Sequence, residues 1–408
     1  MNHLHARNLL ACFALIASGS LASAADQPVA RSLDDAFAKG KFSLNARARW
    51  EHADQANLHE SDALTLRTRF GFTTAPVEGV QGMIEAENVA ALHPDDYNAA
   101  GTNPGGAGRT AIADPTATGI NQAWLGYSFS DTTLKAGRQR IVLDTARFVG
   151  DVGWRQNAQT FDAATLTTRP VKELSALYGY VSRVSRVFGN KAPQPDFDSD
   201  SHLANIAYRG IPHGTLTGYA YLLDFKNSPA NSSDTYGASF TGSTPLTKEF
   251  KLTYRAEAAT QRDAGRNPLN YRAEYYLAEL GGAVAPFDFG GGYEVLGSDG
   301  GRKGFATPLA TLHAFNGWAD VFTATPARGL RDVYGSVGMN IAGSYPAKVV
   351  YHRFHSDFGS LDYGSEWNVQ LAHKIGKSWT LLAKAAVYDG RAPFFDTKRF
   401  WLQTEYNY

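Results

Sequence analysis

The chain of 408 residues has one cysteine, three methionines and no excess of either charge, with Lys+Arg and Asp+Glu both at 39. It also lacks any run of about 18 consecutive apolar residues, so helical membrane spans are excluded. The cysteine, Cys12, lies in a leader in which Arg7 is the only formal charge, Leu9 to Ile16 are apolar, and Ala22-Ser23-Ala24 forms a cleavage site. Residues 1–24 therefore read as a signal peptide, and the mature chain begins near Ala25. Lipidation at Cys12 is the alternative, since Leu-Leu-Ala-Cys loosely matches a lipoprotein box. Once Cys12 leaves with the signal, disulfides, thiol chemistry and cysteine-ligated metal are excluded. Balanced charge argues against a nucleic-acid partner. There is no glycine-rich phosphate loop and no zinc-ligand spacing, so no cofactor and no metal are expected.

What the chain has is 40 Gly, 23 Phe and 20 Tyr, with a two-residue period in hydrophobicity. At the C-terminus, Phe400, Leu402, Tyr406 and Tyr408 alternate with Arg399, Gln403, Glu405 and Asn407, and only Trp401 breaks the polar face. Near the start, Phe42, Leu44, Ala46, Ala48 and Trp50 alternate with Lys41, Asn45, Arg47, Arg49 and Glu51. Leu64, Leu66, Phe70 and Phe72 are set against Arg67 and Arg69, and Ile84 and Ala86 against Glu85 and Glu87. Phe250–Arg262 is the cleanest segment of all. Strands that hide their hydrophobicity in every second residue escape average hydropathy, which is negative here. Counted along the chain there are 18 such segments, an even number.

The connectors alternate long and short. Ser130–Thr133, Gly210–Gly214, Ala342–Pro346 and Ile375–Ser378 are tight; Ala91–Gly119, Val142–Gln159, Phe188–Ser201 and Gly297–Leu330 are long. Both termini in the periplasm, tight periplasmic turns and longer outer loops give this asymmetry. A β-propeller or a secreted sandwich does not. A soluble amphipathic strand would also place charge at its ends, whereas Arg47, Arg49, Arg67, Arg69, Lys251 and Arg255 sit mid-strand. The expected fold is all-β: a transmembrane antiparallel β-barrel of 18 strands over 41–408, preceded at 25–40 by a short periplasmic lead. In the lead, Ser32 and Asp35 form an N-cap pair before a short helix that Gly40 stops.

Three blocks carry a resemblance: Leu33–Phe37 with Gly40–Glu51; Gly137–Gly150 with Trp154–Gln156 and Thr160–Asp162; and Thr307–Asp320 with Gly329–Asp332. Together they resemble the alginate export family of outer-membrane barrels, over nearly all of 33–408. The family positions carried over are Gly137, Arg138, Gln139, Asp144, Arg147, Trp154, Asp162, Trp318 and Asp320. The resemblance implies an 18-stranded monomeric channel. It does not transfer the substrate, so export of a polyuronate is one option among several.

Arg47, Arg49, Arg67 and Arg69 lie on adjacent antiparallel strands and can form one ladder, joined further along by Lys251 and Arg255. Arginine forks suit carboxylates and phosphates, and rings of basic side chains favour anions in a pore. The competing reading is wall bracing, with Glu85, Glu87, Glu257 and Glu405 as counter-charges. Strict alternation sets Arg138 and Arg140 on the face opposite Lys135, Gly137 and Gln139. Either the arginines point inward and Lys135 snorkels at the periplasmic rim, or a bulge intervenes near Gly137. The charged connector 142–159 fits an in-folded constriction or, as blandly, a solvated loop. Leu309, Leu312, Phe315, Trp318, Val321 and Phe322 predict a short amphipathic helix in 297–330, with His313 structural within it. His352, His355, Ser356 and Asp357 supply the groups of a rim hydrolase, yet no nucleophile motif marks the serine, and an enzyme is not expected. His93–Asn98 lacks the spacing of a calcium loop and reads as a plain surface loop.

The expected function is passive passage of hydrophilic solutes, leaning to anionic sugars, polyuronates or small organic acids. A general porin or a plugged, non-conducting adhesin-like barrel is the alternative. Expected partners are outer-membrane lipid, lipopolysaccharide, the barrel-insertion machinery and the solute.

Overall fold

A strand with one apolar face can lie against lipid, but the edges of a sheet of such strands leave backbone groups unpaired, and closing the ring removes those edges. The computed structural model describes residues 29–408 and has this closure. The predicted signal, its cleavage site and Cys12 lie outside the described residues. Eighteen strands run antiparallel in chain order. They are β1 (Lys41–Gln55), β2 (Ser61–Thr73), β3 (Val80–Ala91), β4 (Ala117–Phe129), β5 (Thr132–Gln139) and β6 (Thr160–Val171). β7 (Leu174–Ser185), β8 (Asp196–Tyr208), β9 (Gly214–Leu223), β10 (Ser233–Pro245), β11 (Lys251–Asp263) and β12 (Arg272–Val284) follow. β13 (Phe287–Leu296), β14 (Leu330–Ile341), β15 (Tyr345–His355), β16 (Asp362–Ile375), β17 (Trp379–Gly390) and β18 (Thr397–Asn407) complete the ring. Closure is by β1 against β18, with Arg47 opposite Glu405 and Glu51 opposite Trp401.

The two faces are inverted relative to a water-soluble sheet. On β2 the outward Leu66 and Phe70 are 44% and 54% exposed, while the inward Arg67 and Arg69 are 1% and 5% exposed. Lipid covers the first pair; the packed lumen holds the second. Trp401, the residue that breaks the alternation of polar side chains on β18, points inward and is fully buried. The tight connectors all fall at one rim and the long loops at the other. At the tight rim, α1 (Leu33–Ala38) precedes β1, and the Ser32 hydroxyl accepts the Asp35 N–H at 3.2 Å as the N-cap pattern predicts.

Two of the long loops do not stand out into solvent. Segment 140–159, between β5 and β6, and segment 297–329, between β13 and β14, fold into the barrel and pair with each other. Val149 bridges Leu309, the Gly150 N–H donates to the Leu309 carbonyl at 2.9 Å, and the Thr311 N–H donates to the Ala146 carbonyl at 3.0 Å. The solvated-loop reading of 142–159 is thereby corrected. So is the amphipathic helix in 297–330: only Leu312–Ala314 forms a single 3-10 turn. Positive φ at Asn316, Gly317 and Asp320 breaks any helical path there, and the backbone bonds that a helix would make locally go to the other loop. The apolar residues of the segment are buried for another reason: Leu309, Phe305 and Phe322 pack into the core that fills the lumen.

Candidate functional site

The ladder forms as the register dictates. Arg47 lies directly opposite Arg67 on the neighbouring strand, and two like charges at that spacing repel unless acids intervene. Glu405, delivered from β18, sits between them. The Arg47 Nε and Nη2 donate to it at 3.0 and 3.2 Å, and the Arg67 Nη2 donates to its Oε1 at 3.1 Å. Arg69 is paired with Glu87 on β3, and the Arg49 Nη1 donates to Asp114 at 3.3 Å.

The inward ends of these arginines also hold the 140–159 loop. Arg47 donates to the carbonyls of Gly153 and Trp154, both at 3.1 Å; Arg49 reaches the Trp154 carbonyl at 2.6 Å, and Arg69 the Gln156 carbonyl at 3.3 Å. The Arg49 guanidinium lies 4.1 Å over the Trp154 ring. Three loops meet on this wall. Arg155 bonds Glu51 at 3.0 Å and is paired with Asp320 of the 297–329 segment. Asp114, from segment 92–116, accepts the Gln156 N–H at 2.7 Å. Arg399 donates to Glu51 at 2.9 Å and to the Ala319 carbonyl at 2.8 Å.

Above the ladder Lys384 of β17 is fully enclosed. Its Nζ lies 2.6 Å from His313 Nε2, 3.7 Å over the Trp318 ring and 4.2 Å over Trp154. The other ring nitrogen, Nδ1, lies 2.8 Å from the Asp320 carboxylate, so the imidazole bridges Lys384 and Asp320. Burial, then the charge of Lys384, pushes its pKa well below the usual range. Burial raises the Asp320 carboxyl, but His313 and Arg155 overcome that and hold it well below ordinary carboxylates. His313 is structural, stacked flat on Trp154 at 4.3 Å.

The remaining sequence candidates separate. Lys251 and Arg255 face inward on β11, away from the ladder; Arg255 is paired with Glu257 and lies 3.6 Å from Glu279. Glu85 accepts from Arg140 at 3.1 Å, so that arginine, just past the end of β5, turns inward. Neither route offered for Arg138 holds. Alternation is kept through β5, with Gln139 buried inside and Lys135 inward over Trp124 at 4.3 Å, not at the rim. Arg138 faces outward, where it meets Asp162, placed on the same side by alternation with the buried Phe161 and Ala163, at 2.7 Å. Gly137 has φ +121°, and a Cβ there would strike the Ala123 carbonyl. Arg147 bonds Glu294 at 2.7 Å, Asp144 accepts from Asn205 at 2.7 Å, and the Trp318 N–H donates to Glu366.

His352, His355, Ser356 and Asp357 do not converge. His352 bonds Asp332 at 3.0 Å, Asp357 pairs with Arg331, and the Ser356 hydroxyl donates to the Phe358 carbonyl. In the 93–98 stretch Tyr97 is buried, donating to the Asp114 carbonyl at 2.9 Å. Among the described residues, no group of three or more His, Cys, Asp or Glu is placed to hold a metal ion. Sequence reasoning passed over Lys384, Arg399, Glu51, Asp114 and Glu366 as site residues. Arg399 and Glu51 were visible as inward members of their alternation; Asp114 sits in a loop, where no period exists to place it.

A closed 18-stranded antiparallel ring, apolar outside, ionic inside and narrowed by loops, defines a bacterial outer-membrane barrel of the porin class. The chain belongs to the alginate export family, which it matches over residues 39–278. Comparison with curated protein sequences gives no match. Among solved structures the barrel is similar to OccK9 (OpdG) of Pseudomonas aeruginosa, with a TM-score of 0.72 at 15% identity, covering 91% of this chain and 100% of that one. It is similar to OccAB4 of Acinetobacter baumannii, with a TM-score of 0.71 at 15% identity, covering 90% and 98%. Pseudomonas aeruginosa OpdK, solved with vanillate, gives a TM-score of 0.69 at 15% identity over 90% and 98%. At that identity the likeness is one of fold.

Proposed function

We propose that the barrel is a passive channel for hydrophilic solutes with a preference for anions, either sugar acids and polyuronates or small organic acids. The wall of Arg47, Arg49, Arg67 and Arg69 is the selective surface. The observation that carries this is the unused donor capacity in a buried basic wall: Arg67 Nη1 and Arg140 Nε have no hydrogen-bond partner among the described residues. Buried donors are ordinarily paired, and a guanidinium N–H left without an acceptor is suited to take a carboxylate where the in-folded loops yield to solute. The carbonyls of residues 153, 154 and 156 occupy other forks of the ladder, as weak acceptors that a carboxylate outcompetes. The family's name supports a polyuronate; the vanillate bound by OpdK, a protein of like fold, supports a small organic acid.

Single-channel conductance of the refolded chain under a KCl gradient tests the reading. Open steps with an anion-leaning reversal potential are expected, and Arg47→Glu combined with Arg69→Glu should move that potential toward cations. An unchanged potential leaves the ladder as bracing and the barrel as a general porin. A second reading, a sealed barrel acting as a surface module, rests on the two long loops packing together across the lumen. A folded, heat-modifiable barrel without conductance would favour it.

A further inference from the structure

Helix α1 is one and a half turns long, and its two sides differ in chemistry. On one, Asp35 accepts from the Arg31 N–H at 2.9 Å and from Lys39 at 2.8 Å, with Asp34 exposed beside it. On the other, Leu33 and Phe37 lie four residues apart on one helical face, 70% and 61% exposed, with Val29 just upstream 70% exposed. The rotation of the helix is fixed. Ala36 is buried against Ala30 and Ala75, and the Ala75 N–H donates to the Ala36 carbonyl at 2.9 Å. That rotation aims the apolar face at the outside of the barrel.

The apolar face is continuous with the lipid-facing belt. The Phe37 ring stacks on Phe72 of β2 at 6.0 Å; Phe72 packs on Phe42 at 4.8 Å, and Phe42 on Phe70 at 5.6 Å. Phe42 and Phe70 sit at outward positions of β1 and β2, where lipid is the solvent. An apolar patch that begins in the bilayer and runs without a break onto a helix at the periplasmic rim has one consistent occupant. We infer that α1 is an interfacial anchor. It lies in the headgroup region of the periplasmic leaflet, with Leu33 and Phe37 inserted toward the acyl chains and Asp34, Asp35 and Lys39 in water. The N-terminal segment then extends the membrane footprint of the barrel instead of hanging free below it.

The test is site-directed spin labelling of the signal-free chain, which has no cysteine once Cys12 is removed, refolded in phosphatidylethanolamine–phosphatidylglycerol vesicles. Leu33→Cys carries the label on the apolar face and Ala38→Cys carries it within the polar arc; heat modifiability confirms that each variant folds. Oxygen, which concentrates in acyl chains, should broaden the label at 33 more than a water-soluble nickel chelate does, and the order should reverse at 38. Equal access of the chelate to both positions would overturn the anchor and put the helix in water. Shielding of position 33 from both reagents would also overturn it, in favour of a protein partner or a second copy of the chain. Leu33→Asp with Phe37→Asp gives an independent readout: vesicle binding of the detached peptide is not needed, because the intact barrel should lose protection of the Lys39–Lys41 stretch from added trypsin. Unchanged protection would count against the anchor.

Discussion

The wall built from β1, β2 and β18 and the wall built from β13, β14 and β16 face the same lumen with opposite charge. The first presents Arg47, Arg49, Arg67, Arg69 and Arg399 against Glu51 and Glu405. The second presents Glu294, Asp332 and Glu366, all buried, with His352 between the last two strands. Each wall is completed by charge delivered from a loop. Asp114 crosses to Arg49 on the basic side, and Arg147 crosses to Glu294 on the acidic side, where Asn316 also bridges Glu294 and Asp332 at 2.6 and 3.2 Å. A single unpaired charge in that interior is costly, so each wall specifies where its loop must lie. The same 140–159 loop serves both, placing Arg147 on one wall and its 153–156 backbone on the other. The plug is held by complementary charge as much as by its apolar packing.

The sharpest way to break this symmetry is Arg147→Met. It keeps the volume and the packing near Phe315 and Tyr275 but leaves Glu294 buried without its cation. Removing one partner of a buried pair costs about 3–5 kcal/mol. A urea titration in vesicles should register a loss of that size, and the released loops should raise the open-channel conductance. The reverse experiment carries a guanidinium to the other face of the basic wall. Leu66→Arg, one residue from Arg67 but facing lipid, should cost about 2–4 kcal/mol in the same titration if the site lies at the midplane. A neutral result there would put the inside–outside phase of β2 in error.

Much of this was legible in the sequence because a period of two is a strong signal. The alternation of Leu64, Leu66 and Phe70 with Arg67 and Arg69 gives the face of every residue on β2, and the count of such segments gives the ring. Closure makes neighbours of the first and last strands and so brings Glu405 within reach of Arg47 as a candidate counter-charge, while the register that sets them opposite comes from the structure. The loops were not legible in the same way. An irregular chain has no period, so the hydrophobic spacing from Leu309 to Phe322 reads equally as a helix or as a string of separate anchors, and only the partner loop decides. Lys384 was hidden for a related reason: it occupies an inward position on β17 like many others, and what encloses it arrives from His313, Trp318 and Trp154, far away in the chain. The resemblance blocks at 137–162 and 307–332 are these same two loops.

The finest test of the comparison uses acid, because the two loops share a buried neutral imidazole. His313 is uncharged in the folded barrel, its pKa driven well below 6.5 by burial and by Lys384, with Asp320 and Arg155 the other charges facing it. The unfolded chain, whose histidine titrates near 6.5, binds more protons as the pH falls, so stability from this group is fully present above about 6.5 and is lost below it. The slope for one proton is about 1.4 kcal/mol per pH unit. Asp320 adds a second, separate loss only when the pH falls below about 3.8, since its folded pKa is the lower one. Urea titrations between about pH 7 and 5 should therefore show the midpoint of the native chain falling relative to that of a chain without this proton site. His313→Gln, which keeps an acceptor for Lys384 and a donor for Asp320 but cannot take the proton, should flatten that fall. If the slope survives the substitution, the protons that cause it bind elsewhere in the chain.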